Sequence, residues 1–166
     1  MSFKKLIPDF VFSDVCRIDP GFFADNGIRY LISDVDNTLA TYSESVPSAD
    51  VAAWLSAVTA TGVTVALISN NGRERVNEFN KGLGYSVRFR AGKPFTKGLK
   101  SLMKELGAAP EDTCVLGDQL FTDVLCAHRA GVRCVLVDSI DVSGRPFLRF
   151  KKRLEAVIMR RHGRSV

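Results

Sequence analysis

From residue 29 onward the sequence alternates between short apolar runs and helix-patterned segments, and the links between them are brief. Residues 30–34 read as a strand. Ser48 can cap a helix over 50–60, where Val51, Trp54, Leu55 and Val58 fall at helical spacing and Thr61-Gly62 ends it. The β-branched run 63–68 reads as a second strand, and 73–81 as a helix stopped by Gly82. Residues 86–89 form a third strand, 96–106 a helix ended by Gly107, and 113–116 a fourth strand. A helix over 122–130, ended by Gly131, leads to a fifth strand at 133–137, and 146–159 is a last helix. Apolar strands alternating with helices specify a parallel sheet covered on both faces, a three-layer α/β domain.

Composition narrows the class further. A chain of 166 residues is the size of one domain. With 46% hydrophobic and 25% charged residues it carries too much apolar side chain for a disordered polymer. No apolar run approaches the ~20 residues of a membrane span, and Pro8 and Asp9 break the apolar stretch near the start. A cytoplasmic protein is expected. Cys16, Cys114, Cys126 and Cys134 show no C-x-x-C spacing, so neither a disulfide framework nor a zinc site is expected; Cys114 and Cys134 read as small core residues. Residues 1–29, which hold five of the eleven phenylalanines, read as an N-terminal arm with a short helix or two.

The net charge of +5 is concentrated in one place. Residues 145–166 carry a net +7, and the remainder sums to −2. The basic character therefore belongs to the C-terminal segment and is no argument that the whole domain binds nucleic acid. That segment lacks interleaved aromatic platforms, so no specific nucleic-acid partner is expected.

In open α/β sheets ligands bind beyond the carboxyl ends of the strands. Here those ends carry unusual chemistry: Asp34-Val35-Asp36-Asn37-Thr38, then Ser69-Asn70-Asn71-Gly72, then Gly92-Lys93-Pro94, then Gly117-Asp118 with Asp123 beyond. A lone D-x-D can be a turn or a simple metal clip, a lone Gly-Asp is often a turn, and Lys93-Pro94 alone says nothing. Four such elements, each after a strand, have a joint logic. Clustered carboxylates repel unless a cation sits among them, and oxygen ligands select a hard ion, Mg²⁺ foremost. Such an ion beside a lysine, a serine hydroxyl and backbone N–H groups makes a site for a phosphoryl group. One carboxylate can attack phosphorus, and a second, two residues on, can move the proton.

The order D-x-D-x-T, Ser, Lys, G-D-x-x-x-x-D resembles that of the haloacid dehalogenase (HAD) superfamily of phosphatases. It reads DVDNT at 34–38, ISNN at 68–71, GKP at 92–94 and GDQLFTD at 117–123. With IPDFV near the start, SDVDNTLA, LISNN, AGKP and VLGDQLFTDV, the chain is similar to the YqeG group of HAD subfamily IIIA. That group is similar in turn to phosphatidylglycerophosphate phosphatases. One departure is Cys126-Ala127-His128-Arg129, in place of a Gly-Gly-Asn-Arg-like run.

The resemblance implies an HAD-like (Rossmannoid) fold and a role for each motif residue. Asp34 is the nucleophile and a metal ligand. Asp36 is the general acid/base and reaches the metal through its backbone carbonyl. Asp118 is the third protein ligand. Asp123 orients the metal shell or Lys93. Ser69 and the Asn70 backbone N–H hold phosphoryl oxygens. Lys93 neutralises charge on Asp34 and on the phosphate, and Thr38 supports the loop.

Only nine residues separate Thr38 from Ser48, and the twenty between Asn71 and Gly92 are filled by a helix and a strand, so no cap domain fits. The expectation is one capless domain over 1–166, with 1–29 as the arm and 145–166 as a basic helix and tail. That helix is either a core-packing last helix with a solvated basic face or an interfacial helix on an anionic membrane.

The expected activity is a Mg²⁺-dependent phosphomonoester phosphatase working through an aspartyl-phosphate, with a phospholipid head group such as phosphatidylglycerophosphate as substrate. The alternatives are a phosphatase of small soluble phosphates and a non-catalytic phosphate-binding or ribosome-associated protein. A response-regulator receiver fits poorly, because its acceptor Asp follows the third strand, where this chain has none. His128, His162 and Trp54 are assigned no catalytic role.

Overall fold

The computed structural model describes residues 3–141. Six parallel strands form one sheet in the order β1-β6-β5-β2-β3-β4. They are β1 (Phe10–Phe12), β2 (Tyr30–Ser33), β3 (Thr64–Ile68), β4 (Ser86–Arg88), β5 (Thr113–Gly117) and β6 (Arg133–Val137). The helices are α1 (Phe22–Asp25), α2 (Ala49–Ala60), α3 (Arg73–Asn80), α4 (Lys97–Leu106) and α5 (Leu125–Ala130).

Period-two alternation along the strands builds two cores. Leu31, Val65, Leu67, Cys114, Leu116, Val135 and Val137 face one side, against Phe23 of α1, Val51, Trp54, Leu55 and Val58 of α2, and Val76 and Phe79 of α3. Their neighbours Ile32, Ala66, Ile68, Val115, Cys134 and Leu136 face the other, against Leu99, Leu102 and Met103 of α4 and Leu125, Cys126 and Ala127 of α5. This is the expected three-layer arrangement, and no cap domain is inserted among the described residues.

Local signals set the helix ends. The Ser48 hydroxyl accepts the Val51 N–H at 3.3 Å and starts α2. Gly107 and Gly131 close α4 and α5 in the left-handed region, at φ 68° and 76°. The helix expected over 122–130 opens instead with a π-helical turn, Leu120–Val124. Wide turns of this kind occur where a helix must aim a functional side chain, and this one carries Asp123.

The N-terminal segment is more than an arm with short helices. Phe10–Phe12 is a sheet strand, paired in parallel with β6 in the register Phe10↔Val135. Three residues after a proline are too few for a period-two pattern to announce a strand. Around it the phenylalanines pack edge to face: Phe22 meets Phe10, Phe12 and Phe23 at centroid distances of 5.0, 5.3 and 5.4 Å. Trp54 lies 6.1 Å from Phe23 and donates its indole N–H to the Ile18 carbonyl at 2.8 Å, which ties the segment to α2. The basic helix and tail expected over 145–166 lie outside the described residues.

Phe23 is fully buried between Phe22 and Trp54 in this aromatic cluster. Phe23→Ala is expected to cost about 3–5 kcal/mol of unfolding free energy, read from the urea midpoint at unchanged slope.

Candidate active site

The chain leaves β2 outward through β3 and β4, then returns to the other side of β2 to make β5 and β6. Neighbouring strands β2 and β5 therefore carry on to opposite halves of the sheet, and the cleft beyond their carboxyl ends is the topological switch point. Asp34 and Asp118 leave the sheet there, side by side: the Asp34 N–H still donates to Leu116 O at 2.8 Å.

The first loop folds on itself. Val35 O accepts from Leu39 N at 2.9 Å and Ala40 N at 3.2 Å. Asn37 adopts φ 66°, a left-handed conformation that asparagine tolerates better than most residues. This curl turns Thr38 back, so its hydroxyl lies 3.2 Å from Asp34 Oδ2 and 3.4 Å from Asp118 Oδ1. Ser139, just after β6, donates to the other Asp118 oxygen.

Lys93 closes the site from the far side. Its ammonium lies 2.5 Å from Asp34 Oδ1 and 2.6 Å from Asp123 Oδ1, and all three side chains are buried. Asn70 fixes the lysine backbone in both directions, accepting the Lys93 N–H at 2.8 Å and donating to Lys93 O at 3.0 Å. Burial works against the lysine's charge, but Asp123 and Asp34 outweigh it and hold its pKa above the ordinary value. Burial, the largest influence, pushes the Asp34 carboxyl above the usual carboxylate range; Lys93 opposes this, while Asp123 and Asp118 add to it.

Oxygens of Asp34, Asp118 and Asp123 come within 4.8 Å of one another. One ammonium cannot neutralise three buried carboxylates, and the donor set is all oxygen. This arrangement fits a hard divalent cation.

Asp36 points elsewhere. Its Oδ1 accepts Arg75 Nε at 3.0 Å, and its Oδ2 accepts the Ser69 hydroxyl at 3.2 Å and the Asn71 amide at 2.8 Å. Arg75 also donates to Thr41 O at 3.0 Å, tying the first loop to α3. The predicted residues Asp34, Asp36, Ser69, Asn70, Lys93 and Asp123 line one cleft of about 190 Å³, with Thr38 and Asp118 touching behind it. Sequence reasoning missed Arg75, Tyr42, Gln119 and Ser139. Tyr42 and Gln119 line the cleft. Arg75 had one legible signal, its place in the first turn of the helix that follows the Ser69 loop.

Fold and site together define a phosphatase of the three-layer α/β class, with its acidic residues just beyond β2 and β5 and its lysine beyond β4. A HAD-hydrolase-like family model matches residues 90–153. The chain is 30% identical over 156 residues to the Bacillus subtilis (strain 168) protein named Probable phosphatase YqeG, covering 94% of this chain and 91% of that one. The chain belongs to the HAD superfamily, in its YqeG group of phosphatases, and is a hydrolase of phosphoric monoesters.

Among solved structures the fold is similar to an uncharacterized Listeria monocytogenes serotype 4b protein, with TM-score 0.57, 15% identity, and 76% of this chain and 99% of that chain covered. It is also similar to the cobalt-bound deoxy-D-mannose-octulosonate 8-phosphate phosphatase YrbI from Haemophilus influenzae, with TM-score 0.52, 17% identity, and 83% and 91% covered.

Gly117 marks the tightest contact in the site. A Cβ placed there would lie 2.4 Å from Cβ and Cγ of Asp123. Gly117→Ala is therefore expected to displace Asp123 from Lys93 and weaken divalent-cation binding, measured by calorimetry on the folded variant. Arg75→Ala should lower kcat by about 10- to 100-fold, the worth of a hydrogen bond to a charged group. The loss should be smaller on p-nitrophenyl phosphate than on alkyl phosphates, and Arg75→Lys should restore part of it.

Proposed function

We propose that the protein is a Mg²⁺-dependent phosphomonoesterase that works through an aspartyl-phosphate on Asp34, with a phospholipid head group as substrate and phosphatidylglycerophosphate as the best single candidate. The observation that carries the chemistry is Asp34 itself, a buried carboxylate held between Lys93 and two further acids. Asp34 and Asp118, with the Asp36 backbone carbonyl, would hold the cation, which supplies charge neutralisation at the phosphoryl oxygens.

A carboxylate oxygen of Asp34 attacks phosphorus, and the bond from phosphorus to the alcohol oxygen breaks. Asp36 delivers a proton to that leaving oxygen. As a carboxylate it then takes a proton from water, whose oxygen attacks phosphorus and releases inorganic phosphate from Asp34. Ser69 and the Asn70 N–H orient the phosphoryl group. Lys93 balances its charge, and Asp123 keeps Lys93 in place.

The substrate class rests on the surface around the cleft. Among the described residues the exposed large hydrophobics are Val46, Phe95 and Ile140. They sit on the chain that leaves β2, β4 and β6, the same sheet edge that carries the site. Phe95 is 73% exposed and two residues from Lys93. An uncapped cleft with exposed apolar residues at the same end of the sheet suits a phosphate presented from a lipid surface. No described helix is long and apolar enough to cross a membrane, and the basic segment 145–166 would add attraction to anionic lipid. In this reading the chain is one capless catalytic domain whose C-terminal segment assists at the membrane.

A panel of phosphatidylglycerophosphate and phosphatidic acid in mixed micelles, beside soluble sugar and nucleotide phosphates, tests this with and without Mg²⁺. Asp34→Asn should abolish turnover of every substrate, and Asp36→Asn should slow it about 10²–10⁴-fold. Phe95→Ser should reduce micellar turnover and spare p-nitrophenyl phosphate. Higher kcat/KM on the soluble panel would establish the small-phosphate alternative instead.

A further inference from the structure

Away from the active site, on the α5 side of the sheet, three residues distant in sequence meet. Asp9 precedes β1, His128 lies on α5, and Cys134 lies in β6. His128 Nε2 is 2.9 Å from Asp9 Oδ2 and 3.3 Å from Cys134 Sγ, and Cys134 Sγ is 3.5 Å from Asp9 Oδ2. Nothing in the phosphatase chemistry uses them.

The hydrogen bonding of the ring is informative. His128 Nδ1 lies 3.0 Å from the Lys5 carbonyl, which can only accept, so Nδ1 carries a proton. In the neutral imidazole Nε2 then has a lone pair, directed at a carboxylate 2.9 Å away. Two acceptors in contact require a cation between them, either a proton or a metal. The backbone N–H of Cys134 donates to the same Asp9 Oδ2 at 2.8 Å, which fixes that oxygen beside the ring and the thiol. Burial opposes the Asp9 charge, but the bonds from His128 and Cys134 hold its pKa below the ordinary carboxylate value.

We propose that Asp9, His128 and Cys134 form a second metal site, selective for zinc-class ions. A tetrahedral ion with bonds of about 2.3 Å to sulfur and about 2.0–2.1 Å to nitrogen and oxygen keeps its ligand atoms about 3.3–3.6 Å apart. The three observed separations lie within about 0.4 Å of that range. A thiolate and an imidazole select a softer ion than the all-oxygen cluster around Asp34. The Nδ1–H to carbonyl bond is the outer contact that orients metal-bound histidines.

Binding forms the sulfur–metal bond and releases the thiol proton, with any proton on Nε2, to solvent. One thiolate and one carboxylate neutralise the divalent charge, so nearby Lys5 and Arg133 do not oppose it. Asp9 and His128 line an open depression together with Lys5, Gly131, Val132 and Arg133, from which water could complete the shell. The ion would clamp the N-terminal segment to α5 and β6.

Metal-stripped full-length protein in excess Mg²⁺, which occupies oxygen sites, is titrated with Co²⁺ and followed by absorption. The expected result is a thiolate-to-cobalt charge-transfer band that saturates at one equivalent and is displaced by Zn²⁺. The band should vanish in Cys134→Ser and in His128→Gln, and remain in Cys126→Ser and Cys16→Ser. Mg²⁺-dependent hydrolysis of p-nitrophenyl phosphate should be unchanged in Cys134→Ser. If burial of Cys134 makes its serine variant unstable, His128→Gln, at a partly exposed position, decides. No band in the wild type, or a band that survives either Cys134→Ser or His128→Gln, overturns the proposal and leaves the three residues as a hydrogen-bonded pin.

Discussion

The contact on which the active site depends is the Lys93 ammonium lodged between Asp34 and Asp123. A buried carboxylate without a partner costs several kcal/mol, and this sheet edge gathers three of them within 4.8 Å. The lysine removes part of that cost and leaves an imbalance that a divalent cation corrects. Much nearby architecture serves its placement. Asn70 grips its backbone from the β3 loop, the π-helical turn presents Asp123, and Gly117 lacks the Cβ that would push Asp123 away.

The architecture was legible in the sequence where periodicity had length to act. The strands from Tyr30 to Val137 and the helices between them followed from apolar runs, a serine cap and glycine stops. The edge strand Phe10–Phe12 was not, because three residues after a proline carry no readable period and the strand exists only through its pairing with β6. The cleft was legible because its residues sit at strand ends, where topology alone brings them together. Arg75 and Ser139 escaped notice because each acts through contacts set by tertiary packing, Arg75 on Asp36 and the Thr41 carbonyl and Ser139 on Asp118.

The Asp9, His128 and Cys134 cluster shows the same limit in another form. Metal ligands are read from sequence by close spacing, and the gap from residue 9 to residue 134 offers none. Cys134 looks like a core residue because it is one: its side chain lies on the inner face of β6, and the N-terminal segment is laid over it. A chemical neighbourhood of this kind arises only when the ends of the described chain meet.

That meeting has a consequence for synthesis. β1 leaves the ribosome before every other strand of the sheet, yet its partner β6 is the last of them to be made. The aromatic side chains around β1 must wait through more than a hundred residues of elongation before their edge is complete. The adjacent strands β2, β3 and β4 can pair well before then, so the sheet is expected to mature from its β4 edge toward β1. During that interval the phenylalanine-rich leading segment is a natural client for chaperones that bind exposed aromatic chain.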